Sequence, residues 1–338
     1  MSWQHVTLGQ RVRFGTGEAA ANLAEEVERL GAQRVMLIGS QPVADGVAAK
    51  IEVAVRWTDV APHVPVAVAE RAREQAAGAD LLVSVGGGSA TGLAKAVALT
   101  TGLPIVAVPT TYAGSEATDV WGLTEAGRKT TGSDERVLPV TVIYDAALTA
   151  SLPHELAIAS GCNALAHCVD SMWAPRTDPI NQALAAAGIR ALSSGLRRIG
   201  DVDGREQTLC GAYLSAVAFA SAGSGLHHKI CHVLGGAYNL PHARTHTAVL
   251  PYVLAFNAPA APQAAARITE ALGGDLASLY AGIGASHVLT GVPDARAAAR
   301  LILPSVPPSN PRPVTEDDLT ALLAAASAGR NPTEWSLP

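Results

Sequence analysis

The sequence predicts an α/β domain built on a parallel sheet, followed by an all-helical domain. Three observations carry this reading. Between residues 10 and 145 short apolar runs alternate with helical patterns of roughly 10–15 residues, the grammar of βαβ units. After Tyr144-Asp145 the strand signals nearly vanish, and Ala/Leu-rich stretches with helical spacing take over. The chain has 338 residues and is 49% hydrophobic, a length of about two domains. The boundary falls near Ala150–Pro153, which gives domains over 1–152 and 153–338.

In order along the chain, the short run Arg11–Phe14 precedes an amphipathic helical stretch, Ala19–Leu30. Val35–Ile38 (VMLI) reads as a buried strand ending at Gly39-Ser40. The Pro/His-rich connection Val60–Val64 leads into the helical pattern Pro65–Ala77. Asp80–Val85 (DLLVSV) and Pro104–Val108 (PIVAV) are the next apolar, β-branched strands, with a helix over Ala90–Leu99 between them. In the second half helical spacing covers His154–Trp173, Pro179–Ile199, Glu206–Phe219, His227–Leu234, Pro262–Leu272 and Ala295–Leu303. A Pro-rich connector, Ser305–Pro313, precedes a last helix opened by Thr315-Glu316-Asp317-Asp318, whose carboxylates suit a helix N-terminus.

Composition excludes several classes. Lys and Arg total 24 against 29 Asp and Glu, with no basic run, so a nucleic-acid groove has no electrostatic footprint. The longest apolar stretches, such as Ala212–Ala220, stop short of the ~20 residues that span a bilayer. The opening MSWQHVTLGQ lacks the cationic start and apolar core of a signal peptide. Cys162, Cys168, Cys210 and Cys231 read as reduced, buried thiols. The expectation is a soluble, cytoplasmic protein.

Directly after DLLVSV comes Gly86-Gly87-Gly88-Ser89, then a helix. Glycines there let a ligand approach the backbone, and the free N–H groups of the next helix attract anions, so a diphosphate is the natural guest. A second polar turn, Pro109–Ser115, follows the next strand, as ligand loops do at the carboxyl ends of parallel strands. Where an Asp or Glu would bind the 2′-hydroxyl of NAD, the strand Val35–Ile38 ends instead in Gly39-Ser40. The small neutral Ser40 predicts tolerance of both NADH and NADPH.

Histidines concentrate in the second half. His227, His228 and His232 share one window, with His242 and His246 just beyond; His228 and His232 have helical i, i+4 spacing, as do Asn163 and His167 upstream. His242 follows Pro241 in what reads as a loop. Such a set builds either a metal site or a proton-transfer site.

Taken together, GGGSATGLAKA (86–96), PTTYAGSEATD (109–119), RVLPVTVIYDAALTASLP (136–153), SGCNALAHCVD (160–170), GLHHKICHVLGGAYNLPHA (225–243) and NPRPV (310–314) resemble the iron-containing alcohol dehydrogenase superfamily, and within it the maleylacetate reductase branch. The resemblance covers almost the whole chain. It implies a dinucleotide-binding α/β domain, an all-helical catalytic domain, an active site in the cleft between them, and usually a homodimer. Metal-dependent members hold their ion with an Asp and three His, at positions matched here by Asn163, His167, His228 and His242. Asn in place of Asp is the pattern of the reductase branch, which implies no metal; three neutral imidazoles and an amide are a poorer site for a divalent cation than a set with an anionic ligand.

The implied reaction is NADH- or NADPH-dependent reduction of the conjugated double bond of maleylacetate to 3-oxoadipate, in aromatic-compound degradation. On that reading His167, His228 and His242 form a donor cluster at the ketone oxygen, and His232 relays a proton. Gly87, Gly88 and Ser89 would cradle the cofactor diphosphate. The resemblance sets Lys129 near the cofactor ribose and Thr110, Thr111 and Ser115 near the nicotinamide half; Tyr112 covers the ring or donates to substrate. The substrate is a small dicarboxylate, for which Asn163, Lys229, Arg128, Arg136 and Arg244 are candidate partners. Three features depart from the branch: Ala117-Thr118-Asp119 where Met-Thr-Pro is usual, Arg244 for a glutamate, and Tyr252 for a histidine. The alternatives are a metal-dependent alcohol dehydrogenase of the superfamily, a reductase paralogue acting on a related acid in specialised metabolism, and a cofactor binder without turnover.

Overall fold

A computed structural model of the chain describes residues 3–125, 128–332 and 334, and not the side chains of residues 128 and 129. It divides into two compact units, Leu8–Leu152 and a second unit from Pro153 onward that also gathers residues 3–7. His5 explains the latter, because its Nδ1 meets the Asp178 carboxylate at 2.8 Å in the helical unit.

The first unit holds β1 (Arg11–Phe14), α1 (Ala19–Leu30), β2 (Val35–Gly39), α2 (Val43–Val47), β3 (Val55–Trp57), α3 (Val66–Gln75), β4 (Leu81–Gly86), α4 (Gly88–Thr101), β5 (Ile105–Pro109), β6 (Val120–Glu125), β7 (Arg128–Ser133) and β8 (Thr141–Tyr144). Six strands form one parallel sheet in the order β1-β8-β5-β4-β2-β3. Central strands read as continuous apolar runs because both faces are covered. Val35 and Leu37 pack on one side with Leu23 and Val47; Met36 and Ile38 pack on the other with Val68 and Val97. The remaining two strands, β6 and β7, form an antiparallel hairpin. Neither β3 nor this hairpin was expected: β3 is three residues long, and the hairpin carries mostly polar side chains.

The second unit is helical: α5 (His154–Ser171), α6 (Pro179–Arg197), α7 (Val202–Ala222), α8 (Leu226–Tyr238), α9 (His242–Asn257), α10 (Pro262–Leu272), α11 (Leu276–Ile283), α12 (Ala295–Ile302) and α13 (Glu316–Ser327). The carboxylates of the last helix work as expected, with Thr315 and Asp318 forming a capping box. Two expectations need correction. His242 is not in a loop but opens α9, a 16-residue helix with Pro251 in its interior. Pro251 cannot donate to the carbonyl of Thr247, and the Tyr280 hydroxyl donates to that carbonyl instead, at 2.9 Å. Cys210 is exposed, whereas Cys162, Cys168 and Cys231 are buried free thiols. Among the described residues no single helix is long and apolar enough to cross a membrane.

Candidate active site

Two polar constellations stand out, one in each unit. In the sheet unit, β2 leads outward to β3 while β4 leads the other way to β5. The carboxyl ends of β2 and β4 therefore flank a topological switch point, where ligands of open α/β sheets bind. Gly39 pairs with Val85 there, and a Cβ at Gly39 would meet the Val85 carbonyl oxygen at 2.4 Å. Gly87 is the N-cap of the 14-residue α4 and supplies no side-chain cap, so the first amides of α4 remain available to an anion. A Cβ at Gly87 would meet Thr111 Cγ2 at 3.0 Å, so the turn and the Thr110-Thr111 loop lie against each other.

These features fit a dinucleotide. Ser40 is exposed at the end of β2, and Gly87, Gly88, Ser89, Thr110, Thr111 and Ser115 are half-buried along the ends of β4 and β5. Tyr112 is different: it is fully buried, and its hydroxyl donates to Thr149 Oγ1 at 3.1 Å. Arg136 is exposed and pairs with Asp134 at 2.6 Å. The side chains of Arg128 and Lys129 lie outside the described residues.

Beneath the 109–119 loop lies a group that sequence reasoning missed. Lys95, on α4, is fully buried, and its Nζ donates to the carbonyls of Ser115, Thr118 and Val120 and to Thr118 Oγ1 at 2.6–3.0 Å. Burial pulls its pKa down to about 7, against Glu116 and Asp119, which push it up. Burial likewise raises the Glu116 carboxyl, which accepts from the Tyr144 hydroxyl at 2.8 Å. A lysine in an alanine-rich helix carries no signal that it faces inward.

In the helical unit six imidazoles converge from three helices: His167 on α5, His227, His228 and His232 on α8, and His242 and His246 on α9. His167 stacks on His228 with centroids 4.8 Å apart, and Phe219 lies 4.2 Å from His228. His246 lies 4.7 Å from His228 and 4.3 Å from His242. His232 completes the ring at 5.8 Å from His228 and 6.1 Å from His242. His167, His227, His228 and His246 are buried, while His232 and His242 are exposed, so the cluster has a buried floor and an open rim. Burial, reinforced by the His242 charge, lowers the His167 pKa to about 3. Burial and neighbouring imidazoles bring His227 to about 3 and push His228 and His246 well down. The floor is neutral at pH 7.

Several floor atoms have no hydrogen-bond partner among the described residues: Asn163 Oδ1, His167 Nδ1, His227 Nδ1, His228 Nε2 and His246 Nε2. Buried polar atoms are nearly always paired, so each orphan calls for a reason, and a polar guest is one. All four histidines proposed from sequence, and Asn163 beside them on α5, belong to this one region. His227 and His246, noted in the histidine set, were given no role of their own, and Asp170 was missed, although it stands three residues after His167, a helical-face spacing. Two substrate candidates stand apart from the floor: Lys229 is half-buried, and Arg244 is exposed and paired with Glu155 at 3.0 Å. Tyr252 is fully buried and donates to the Arg330 carbonyl at 2.7 Å, so its departure from histidine ties down the chain near the C-terminus.

Comparison with known proteins follows the same division. The model of the iron-containing alcohol dehydrogenase family matches residues 9–146, and that of the C-terminal region of the Fe-containing alcohol dehydrogenase family matches 157–327. A maleylacetate reductase of Sphingobium indicum is 42% identical, over 98% of this chain and 99% of that protein. An iron-containing alcohol dehydrogenase structure from Corynebacterium glutamicum superposes with a TM-score of 0.97 at 55% identity, covering 99% of both chains. A maleylacetate reductase structure from Rhizobium sp. strain MTP-10005 superposes with a TM-score of 0.92 at 40% identity, over 97% of this chain and 99% of that one.

Proposed function

Because the chain belongs to the iron-containing alcohol dehydrogenase family, we propose that it is a nicotinamide-dependent reductase that reduces the conjugated carbon–carbon double bond of maleylacetate to give 3-oxoadipate. The observation that carries this reading is the neutral floor of the imidazole cluster, with an amide, Asn163, where a metal-binding relative needs a carboxylate. Full-length similarity to maleylacetate reductases supports the substrate.

The donor set fits a resident divalent cation poorly. Asn163, His167, His228 and His242 include no anion to offset a divalent charge, which makes this a weaker site than one with an Asp and three His. Ligand atoms of His227, His228 and His246 lie within 4.8 Å of one another, but His227 Nε2 and His246 Nδ1 already hydrogen-bond each other at 2.9 Å. The nearest carboxylate, Asp170, is engaged by backbone amides and by His228. We therefore assign the chemistry to the protein's own donors.

A nicotinamide held by the sheet unit would supply a hydride to the carbon β to the ketone. Negative charge would then grow on the ketone oxygen, which His167 and His242 serve as donors, with His228 packed between them, in a water-poor site where such bonds act most strongly. His232, exposed one turn from His228, carries a proton from solvent toward the α-carbon. Gly87, Gly88 and Ser89 with the α4 amides hold the diphosphate; Ser40 admits NADH and NADPH alike. Thr110, Thr111, Ser115 and Lys129 serve the remainder of the cofactor. Lys229 and Asn163 are the substrate contacts, with Arg244 available once its exposed pair with Glu155 opens. A homodimer is part of the proposal, read by light scattering.

The test is NADH and NADPH oxidation with freshly generated maleylacetate, with and without chelator. Turnover that stays within about twofold on chelation is expected. Loss on chelation, restored by Fe²⁺ or Zn²⁺, would reinstate the metal-dependent alternative.

A further inference from the structure

We propose that Asp170 is a positioning residue that holds His228 in a single tautomer, with the proton on Nδ1 and Nε2 left bare. What His228 then does for substrate rests on the reductase reading above; the tautomer itself does not. Asp170 is fully buried on α5. One of its oxygens, Oδ2, meets three nitrogens from the start of α8: it accepts from Gly225 N at 3.0 Å and His228 N at 3.1 Å, and lies 2.8 Å from His228 Nδ1. The two backbone groups can only donate, so Oδ2 is an acceptor and the third nitrogen must donate as well. Asp170 thus caps α8 from another helix, satisfying the N-cap and third-residue amides that Gly225, lacking a side chain, cannot serve.

Burial raises the Asp170 carboxyl to about 7, and the α8 amides pull it back. The inference holds in either state, because a proton on the carboxyl would sit on Oδ1 and leave Oδ2 as acceptor. A neutral imidazole carries one N–H, so Nε2 is bare; it is buried and has no partner among the described residues. Gly225 is part of the device. A Cβ there would meet Asp170 Oδ1 at 2.4 Å, so only glycine admits the carboxylate.

In the proposed reaction a neutral His228 therefore offers an acceptor at Nε2, and the oxygen donors of the resting cluster are the N–H groups of His167 and His242. A ring free to choose its tautomer would be wrongly set in part of the molecules. Loss of a partner that orients a site imidazole typically costs roughly 10–100-fold in activity. Asp170→Ala should lower kcat by that factor without changing NADH affinity. Asp170→Asn keeps a carbonyl oxygen in the place of Oδ2, still facing two backbone donors, and should recover most of the loss. Gly225→Ala, which leaves Asp170 intact but displaces it, should reproduce the Asp170→Ala defect.

The deciding experiment is nitrogen NMR of resting, [15N]histidine-labelled full-length protein. The His228 signals are identified by their absence in His228→Asn and, independently, by their displacement in Asp170→Asn. A proton on Nδ1 with a bare Nε2 is expected. A proton on Nε2 overturns the proposal, as does a folded Asp170→Ala enzyme with wild-type kcat. Failure of the wild type to turn over maleylacetate would remove the reductase reading, and the spectrum would still decide the tautomer.

Discussion

Two buried polar clusters of this protein are built on opposite principles. Around Lys95 three carbonyls and a hydroxyl share one ammonium, and Glu116 takes the Tyr144 hydroxyl. Around His228, four ring nitrogens and the Asn163 oxygen have no partner among the described residues. A completed network stabilises and rigidifies what rests on it, here the 109–119 loop. An incomplete one costs stability and is kept where a guest completes it. The contrast teaches which cluster to mutate for stability and which for catalysis.

The largest expected effect is on the incomplete cluster in acid. His167, His227, His228 and His246 have folded-state pKa values pushed below the ordinary 6.5, mainly by burial. Below pH 6.5 the unfolded chain binds the proton and the folded one does not, so stability is full above that pH and falls as pH drops. Unfolding between pH 6.5 and about 3 should take up one proton for each of the four, measured as denaturation midpoints across pH. A flat acid limb would mean that the floor is hydrated. Lys95 acts in the same direction in a higher window: because burial lowers it from 10.5 to about 7, the unfolded chain holds the proton between those values, and stability rises with pH there too.

Next comes Lys95→Met, which strips the donor from three carbonyls and leaves Glu116 uncompensated; a loss of about 3–5 kcal/mol is expected. An unchanged urea midpoint would show that this network does not hold the loop. His242→Ala should act on rate instead, lowering kcat by roughly 10²–10³ through a lost donor, and His228→Ala should lower it by roughly 10–100-fold through the lost ring between the donors, while NADH binding, which belongs to the other unit, survives. Should these variants lose melting temperature but keep kcat, the imidazoles are packing and the contrast between clusters collapses. The smallest effect sharpens the cofactor side. Wild type should use NADH and NADPH within roughly tenfold, about 1.4 kcal/mol, and Ser40→Asp should disfavour NADPH by roughly tenfold or more through like-charge repulsion. Equal use of both by the variant would place the ribose away from β2.

Much of this was legible along the chain. Apolar β-branched runs carried β2, β4 and β5 because strands buried on both faces leave a continuous signature, and helical spacing carried α5 to α8, α10 and α12. Local order alone also reports the Gly86–Ser89 turn and the histidine pairs one turn apart, since a turn and a helix face are set by neighbours in sequence. It could not report α9, where Pro251 is tolerated only because the Tyr280 hydroxyl reaches Thr247. Nor could it show that Lys95 turns inward, that Arg244 faces solvent, or that His227 and His246 hydrogen-bond each other. Above all it was silent on Asp170, whose meaning lies in three N–H groups far away in sequence. Residue type and spacing determined the elements and the chemistry available. Which of those groups are buried, paired or left wanting is decided by long-range packing, because burial and hydrogen-bond partnership are properties of the assembled neighbours and not of the segment.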